Sequence, residues 1–105
     1  MKRYRVIISP QAEADFDSLY AFIADDAGKP AAKRFIDRLY AFCSSLKNAP
    51  HRGTSREDLM PGLRLLGYRR RATIGFIVTE EQVVILRVTY RGRNVERLFG
   101  RVIRD

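Results

Sequence analysis

A change from strand to helix periodicity falls within residues 4–23, YRVIISPQAEADFDSLYAFI. Residues 4–8 have the β-branched and aromatic content of a strand. Ser9 is suited to cap a helix, and Pro10 to occupy its first position, where the missing N–H costs nothing. Apolar residues then recur at three- and four-residue steps, at Ala12, Phe16, Leu19, Tyr20 and Ile23. This stretch therefore predicts a strand followed by an amphipathic helix of about four turns.

A second amphipathic helix follows after a short turn. Asp25-Asp26-Ala27-Gly28 ends the first helix, with Gly28 as the cap, and the next helix begins near Pro30. Its apolar stripe comprises Ala32, Phe35, Ile36, Leu39, Phe42, Cys43 and Leu46. Asn48-Ala49-Pro50 ends it. Two such helices in succession predict a helical hairpin whose two stripes cover a common surface.

The second half of the chain has strand patterns. Residues 51–61 have no period and are expected to form a loop, and three β-rich runs then span 63–68, 72–79 and 83–90. The order is β-α-α-β-β-β. We therefore predict an α+β fold in which the helical hairpin packs on a small, mostly antiparallel, twisted sheet. The tail, residues 93–105, fits a short helix, an added strand or disorder equally well.

Length and composition limit the class of protein. The 105 residues suit a single domain over 1–105, and one cysteine and one histidine build neither a disulfide nor a metal site. We expect no cofactor. No apolar run is long enough for a membrane helix, and the N-terminus lacks the apolar core of a signal peptide, so a cytoplasmic location is expected.

Positive charge is the first indication of function. The formal net charge is +8, and all twelve basic residues after position 50 are arginines. Because a guanidinium presents a planar fork of donors that fits carboxylate or phosphate, an all-arginine half suits an anionic partner. An arginine-rich genome and a solvated face explain the composition equally well.

Several arginines stand at positions where a functional role competes with a structural one. Arg64 and Arg87 lie inside strands, where arginine indicates either a structural ion pair or a cation in a concave face; for Arg87 we favour the ion pair. Arg91 and Arg93 follow the last strand beside Tyr90, and positive charge next to an aromatic ring suits phosphate contact, although a solvated strand end fits as well. We interpret residues 69–71 as an exposed hairpin end whose charges discourage edge association, rather than as a phosphate site.

A series of short motifs runs in order along residues 4–97. An opening strand leads into Ser-Pro-x-Ala-x-x-Asp-Phe, at Ser9, Pro10, Ala12, Asp15 and Phe16. The later motifs are Ala32, Phe35 and Leu39; Leu46, Pro50 and Gly53; Gly62, Leu63 and Arg64; and a Val-x-Ile-Leu-x-Val strand that leads into Tyr-Arg-Gly-Arg at residues 90–93. The order and spacing of these motifs make the combination specific, and it resembles the RelE/ParE superfamily of toxins from type II toxin–antitoxin modules.

The resemblance implies a small cytoplasmic toxin that is neutralised by a cognate antitoxin. RelE-like members are ribosome-dependent ribonucleases, whereas ParE-like members act on DNA gyrase. The resemblance also implies that Arg64 is the superfamily's sheet arginine, and that Arg91 or Arg93 is the arginine after the last strand. The implied target-binding or active-site residues are therefore Arg64, Tyr90, Arg91 and Arg93, with no confident catalytic residue.

RelE-like nucleases use basic residues, often lysine together with arginine, and a tyrosine near the C-terminus as proton-transfer groups, and the lysines and this tyrosine are missing here. No lysine follows Lys47 and no tyrosine follows Tyr90. Arginine stabilises a phosphorane but rarely accepts a proton, so the acid–base set for RNA cleavage is incomplete. We therefore predict a ParE-like toxin that inhibits DNA gyrase. The alternatives are a RelE-like mRNA interferase that acts on the ribosome, and a nucleic-acid or scaffold-binding domain without toxicity.

We expect the partner to be a ParD-like antitoxin, which binds through an acidic amphipathic helix and an extended segment to form a hetero-oligomer. Its apolar side chains are expected in the groove between the helical hairpin and the sheet. We assign Phe16, Tyr20 and Arg87 to this antitoxin-binding surface.

Overall fold

The computed structural model describes residues 3–90 and 97–99 of the chain. Its elements, in chain order, are β1 (Arg5–Ile8), α1 (Pro10–Ala27), α2 (Lys29–Ser44), a 3₁₀ turn (Ser45–Lys47), β2 (Thr54–Ser55), β3 (Arg64–Tyr68), β4 (Ala72–Val78) and β5 (Gln82–Tyr90). The predicted α+β architecture is confirmed, with the helices packed on one sheet. The two-residue β2 was not predicted, because it carries no periodic pattern.

The start of α1 follows the sequence prediction. The Ser9 hydroxyl accepts a hydrogen bond from the Ala12 amide at 3.1 Å and donates one to the carbonyl of Leu86 at 3.0 Å, while Pro10 is the first helical residue. Ser9 therefore caps α1 and also attaches the helix to β5. Gly28, with a φ of 92°, makes the one-residue junction to α2, since a side chain rarely adopts this conformation.

The sheet has the strand order β1-β5-β4-β3-β2. β1 runs parallel to β5, and all other neighbours are antiparallel. Between β4 and β5 the register shifts: Phe76 pairs with Ile85, but Gly75 pairs with Arg87, so Leu86 is an extra residue on β5. Such a bulge bends the strand and increases its twist.

Each face of the sheet has its own hydrophobic cluster. The helices cover the larger one, whose most buried members include Leu39, Ile74 and Phe76. On the opposite face a smaller cluster forms around Leu59, Leu63 and Phe99. Phe99 belongs to the helical residues 97–99 and is only 2% exposed. This part of the tail is therefore docked on the back of the sheet, while the rest of 93–105 lies outside the described residues.

The described residues include no helix with the length and apolar character of a membrane span, and no cluster of three or more His, Cys, Asp or Glu side chains that could hold a metal ion. Cys43 is buried in the larger cluster, and this burial raises the pKa of its thiol to about 12. Cys43 is therefore a small core residue, as its place on the helical stripe predicted.

Candidate functional site

Beyond Ile85 the outer edge of β5 is bordered by α1 instead of a strand. β1 pairs with β5 only as far as Ile8 and Ile85. Past this point Ser9 bonds to the carbonyls of Ile85 and Leu86, and the Oδ2 of Asp15 accepts the amide of Val88 at 2.8 Å. Ser9 and the side chain of Asp15 thus take the place of part of the missing strand, which leaves a groove between α1 and the edge of β5.

Asp15 and Arg87 form the ion pair at the floor of this groove. The Arg87 guanidinium donates from Nε to Oδ2 at 2.8 Å and from Nη2 to Oδ1 at 3.0 Å. The Asp15 side chain is 11% exposed and that of Arg87 29%. The hydrogen bond to Asp15 raises the pKa of Arg87 above its ordinary value. The ion pair predicted for Arg87 is confirmed, and its fork-to-fork geometry fixes α1 against β5.

We call this depression the α1–β5 groove; it has a volume of about 610 Å³. Its walls are formed by Asp15, Ser18, Leu19 and Phe22 from α1 and residues 87–90 from β5. Phe22 is 51% exposed, a large fraction for a phenylalanine, and its ring meets that of Tyr90 edge-on at 5.5 Å. Thr89 is buried in the wall, and its hydroxyl has no hydrogen-bond partner among the described residues.

The residues assigned to antitoxin binding divide between groove, surface and core. Arg87 lines the groove. Tyr20 is 36% exposed, but it lies two positions from Phe22 and therefore about 200° around the axis of α1. Phe16 is 2% exposed and stacks on Tyr40 with the ring centroids 4.1 Å apart. A partner cannot reach Phe16 in this fold, because the side chain is a core residue between the two helices.

Arg64 has a structural role in the described residues. Its Nε donates to the carbonyl of Arg52 at 2.9 Å, and its Nη2 donates to the carbonyls of His51 and Gly53 at 3.0 and 3.4 Å. The guanidinium therefore holds the loop before β2 by its backbone. These donors are occupied by carbonyl oxygens, so only the remaining part of the guanidinium is available to an outside anion.

Two of the predicted target-binding residues, Arg64 and Tyr90, lie at different levels of the sheet. Arg64 pairs with Phe76 across β3 and β4, whereas Tyr90 pairs with Ala72 across β5 and β4. Four residues of β4 separate the two levels, which is about 13 Å along the sheet. Arg91 and Arg93, the other two members of the set, lie outside the described residues.

Two residues of the groove were missed in the sequence. Asp15 was noted as part of a motif but was given no role, because its partner Arg87 lies 72 positions away. Phe22 was overlooked because it does not belong to the apolar stripe of α1. Its place on the polar side was the available signal, since an aromatic ring outside the stripe must face solvent or a partner.

Comparison with known proteins places these features in a family. A sequence model described as "ParE toxin of type II toxin-antitoxin system, parDE" matches residues 6–95. No curated protein sequence matches the chain. Among solved structures, the chromosomal ParDE toxin–antitoxin system from P. aeruginosa is similar with a TM-score of 0.74 and 22% identity, over 84% of this chain and 96% of that chain. The toxin–antitoxin complex RelBE2 from Mycobacterium tuberculosis is similar with a TM-score of 0.65 and 22% identity, over 89% of this chain and 97% of that chain.

Proposed function

The chain belongs to the ParE toxin family of type II toxin–antitoxin systems, and we propose that it inhibits DNA gyrase in the cytoplasm and is neutralised by a ParD-like antitoxin. The two finer elements of this proposal, the target and the mode of neutralisation, rest on different parts of the molecule and have separate tests.

The choice of target rests on the hydrogen bonds that the Arg64 guanidinium already makes to backbone carbonyls. A ribonuclease of this superfamily needs a cation at the scissile phosphate together with groups that accept and donate a proton. Arg64 donates three hydrogen bonds to the backbone of residues 51–53, and no lysine follows Lys47. Tyr90, the tyrosine nearest the C-terminus, stands about 13 Å from Arg64 along the sheet. This arrangement favours a toxin that acts by binding and does not cleave RNA.

The α1–β5 groove supports the choice of antitoxin site. It combines an exposed aromatic ring, Phe22, with an apolar wall at Leu19 and Val88 and a guanidinium at Arg87. An amphipathic segment matches this combination, because its apolar face covers Phe22 while its polar side faces Arg87, whose charge Asp15 already neutralises.

Tyr20 extends the proposed antitoxin surface to the other side of α1. It is among the exposed large hydrophobic residues of the described chain, with Phe22 and Ile7. An antitoxin segment that crosses α1 contacts both Tyr20 and Phe22. Its binding forms the expected hetero-oligomer of toxin and antitoxin. Phe16 is not part of this surface.

Pulse labelling after induction of the chain without its antitoxin tests the target. A gyrase inhibitor stops thymidine incorporation first, while leucine incorporation continues; nucleoid staining then shows unsegregated DNA. Early loss of leucine incorporation, with codon-positioned cuts in toeprints on translating ribosomes, contradicts the proposal and identifies a RelE-like interferase. Unchanged growth at confirmed expression contradicts both forms of toxicity.

A further inference from the structure

A positively charged surface lies between α2 and the turn from β3 to β4. Arg34 and Arg38, one helical turn apart on α2, face Arg69 and Arg71 from the turn between β3 and β4 across a depression of about 380 Å³. Arg70 lies between the latter two in the turn. We call these five arginines the basic rim. Residues 69–71 form the hairpin end that the sequence predicted, but α2 brings two more arginines to it.

The basic rim has no carboxylate partner among the described residues. The acidic side chain nearest in sequence, Asp37, is bonded to Lys33 at 2.7 Å. The other ion pairs of the described chain, Arg56 with Asp58 and Arg87 with Asp15, lie elsewhere. Like charges gathered without neutralisation raise the local potential and attract an anionic partner.

Aromatic rings hold two of these guanidinium groups in place. Arg69 lies over the ring of Tyr68 at 5.7 Å, and Arg71 over the ring of Phe35 at 6.0 Å. The two rings meet edge-on at 5.8 Å, so they form one support. Arginines fixed in this way lose less conformational freedom when an anion binds.

The backbone of this turn is strained because arginines occupy its two central positions. Arg69 and Arg70 both have positive φ, 51° and 56°, which is the signature of a type I′ turn. Such a turn favours Asn-Gly, and two consecutive arginines there cost conformational free energy. The strain indicates that the charges at this position have a use beyond closing the hairpin.

We propose that the basic rim binds the phosphodiester backbone of a duplex nucleic acid without sequence specificity. Tyr68 is 8% exposed and its ring lies beneath Arg69, so it cannot stack on the bases of a single strand. The guanidinium groups also cover the apolar support, so an amphipathic acidic peptide finds little to bury here. A dense row of phosphates needs only cations, and Arg34 and Arg38, about 6 Å apart along α2, reach neighbouring phosphates.

Fluorescence anisotropy with a short labelled duplex of arbitrary sequence, measured over a salt series, tests this proposal on the full chain. Each phosphate neutralised contributes about −0.9 to the slope of log affinity against log salt, so four contacts predict a slope near −3.6. Changing Arg34→Gln and Arg38→Gln together is expected to reduce the slope by about 2 and to weaken binding about tenfold or more at low salt.

The matched control removes the same charge at the opposite end of the sheet. Arg3 and Arg5 are exposed and share a depression with Glu80 and Glu81. Arg3→Gln with Arg5→Gln is expected to leave the slope unchanged. An equal loss in control and test variants overturns the proposal, since binding then depends only on net charge.

A second variant separates binding from folding. Replacing Arg69-Arg70 with Asn-Gly is expected to raise the melting temperature, because the strain is relieved, while duplex binding weakens. Duplex DNA and duplex RNA are measured side by side. Tighter binding to one of them supports the proposal and identifies which kind of duplex the basic rim binds. Equal competition by polyglutamate, tighter binding of a single strand, or an unchanged slope in both test variants overturns it. None of these outcomes depends on whether gyrase is the target.

Discussion

Replacing Gly75 with alanine tests whether Phe99 is docked on the back of the sheet. An ideal Cβ on Gly75 lies 2.3 Å from Cζ and 2.8 Å from Cε2 of Phe99. The φ of Gly75 is not in the left-handed region, so the backbone itself accepts alanine. The perturbation is therefore a steric conflict between one methyl group and one ring, which must move away.

The expected cost follows from what Phe99 buries. The ring is 2% exposed and packs with Leu59 and Leu63, and releasing a buried phenylalanine forfeits about 1.5–3 kcal/mol. Alanine recovers about 0.5–1 kcal/mol of the penalty for glycine in a strand. We therefore expect Gly75→Ala to lower the free energy of unfolding by about 1–2 kcal/mol.

Urea unfolding of four proteins forms the assay: wild type, Gly75→Ala, Phe99→Ala and the double variant. In the Phe99→Ala background the methyl group meets no ring, so Gly75→Ala becomes neutral or slightly stabilising, and the coupling is about 1 kcal/mol or more. Gly67→Ala is the control, because an ideal Cβ there has no atom within 4 Å. Equal effects of Gly75→Ala in both backgrounds would refute the docking of Phe99.

Three further predictions concern the ion pair, the groove and the core. Asp15→Asn removes the charge from two hydrogen bonds to Arg87 and is expected to lower the free energy of unfolding in urea by about 1.5–3 kcal/mol. The control Asp17→Asn, at an exposed position of the same helix, is expected to change it little, and equal losses contradict the role of the pair. Phe22→Ser is expected to change the free energy of unfolding by no more than about 0.5 kcal/mol, because the side chain is largely exposed. The same change is expected to weaken antitoxin binding, measured by calorimetry, about tenfold or more, with the adjacent Ala21→Ser as control. Unchanged affinity removes Phe22 from the antitoxin surface. Burial raises the pKa of Cys43 from 9.0 to about 12, so the contribution of the neutral thiol to stability is fully present below pH 9 and is lost as the pH rises toward 12. Over this range the free energy of unfolding is expected to fall by about 1.4 kcal/mol per pH unit, and Cys43→Val should lack this decline. Parallel curves of unfolding free energy against pH for the two proteins contradict the prediction.

The elements that the sequence predicted are those determined by local patterns. Ser9 and Pro10 define the start of α1 through a cap and a fixed φ, both of which depend only on neighbouring residues. The strand runs ending at Tyr68 and Tyr90 are rich in β-branched and aromatic side chains, and both are strands in the structure. β2 was not predicted because its two exposed residues, which pair only with Leu65 and Arg64, leave no period in the sequence.

The candidate site was less predictable because its contacts join distant parts of the chain. An ion pair was expected for Arg87, but a side chain's partner 72 positions away depends on how α1 crosses β5. Arg64 looked available for an anion until the fold brought loop carbonyls to it. Likewise Arg34 and Arg38 lie outside the apolar stripe of α2, and only the packing of α2 beside the hairpin turn gathers them into the basic rim.

The most direct test of the central claim is a supercoiling assay with purified DNA gyrase, relaxed plasmid and the purified chain. We predict that the chain blocks supercoiling in a concentration-dependent manner, or traps cleaved DNA–gyrase complexes, and that prior addition of the cognate antitoxin prevents this effect. Normal supercoiling at micromolar concentrations of folded chain contradicts gyrase as the target.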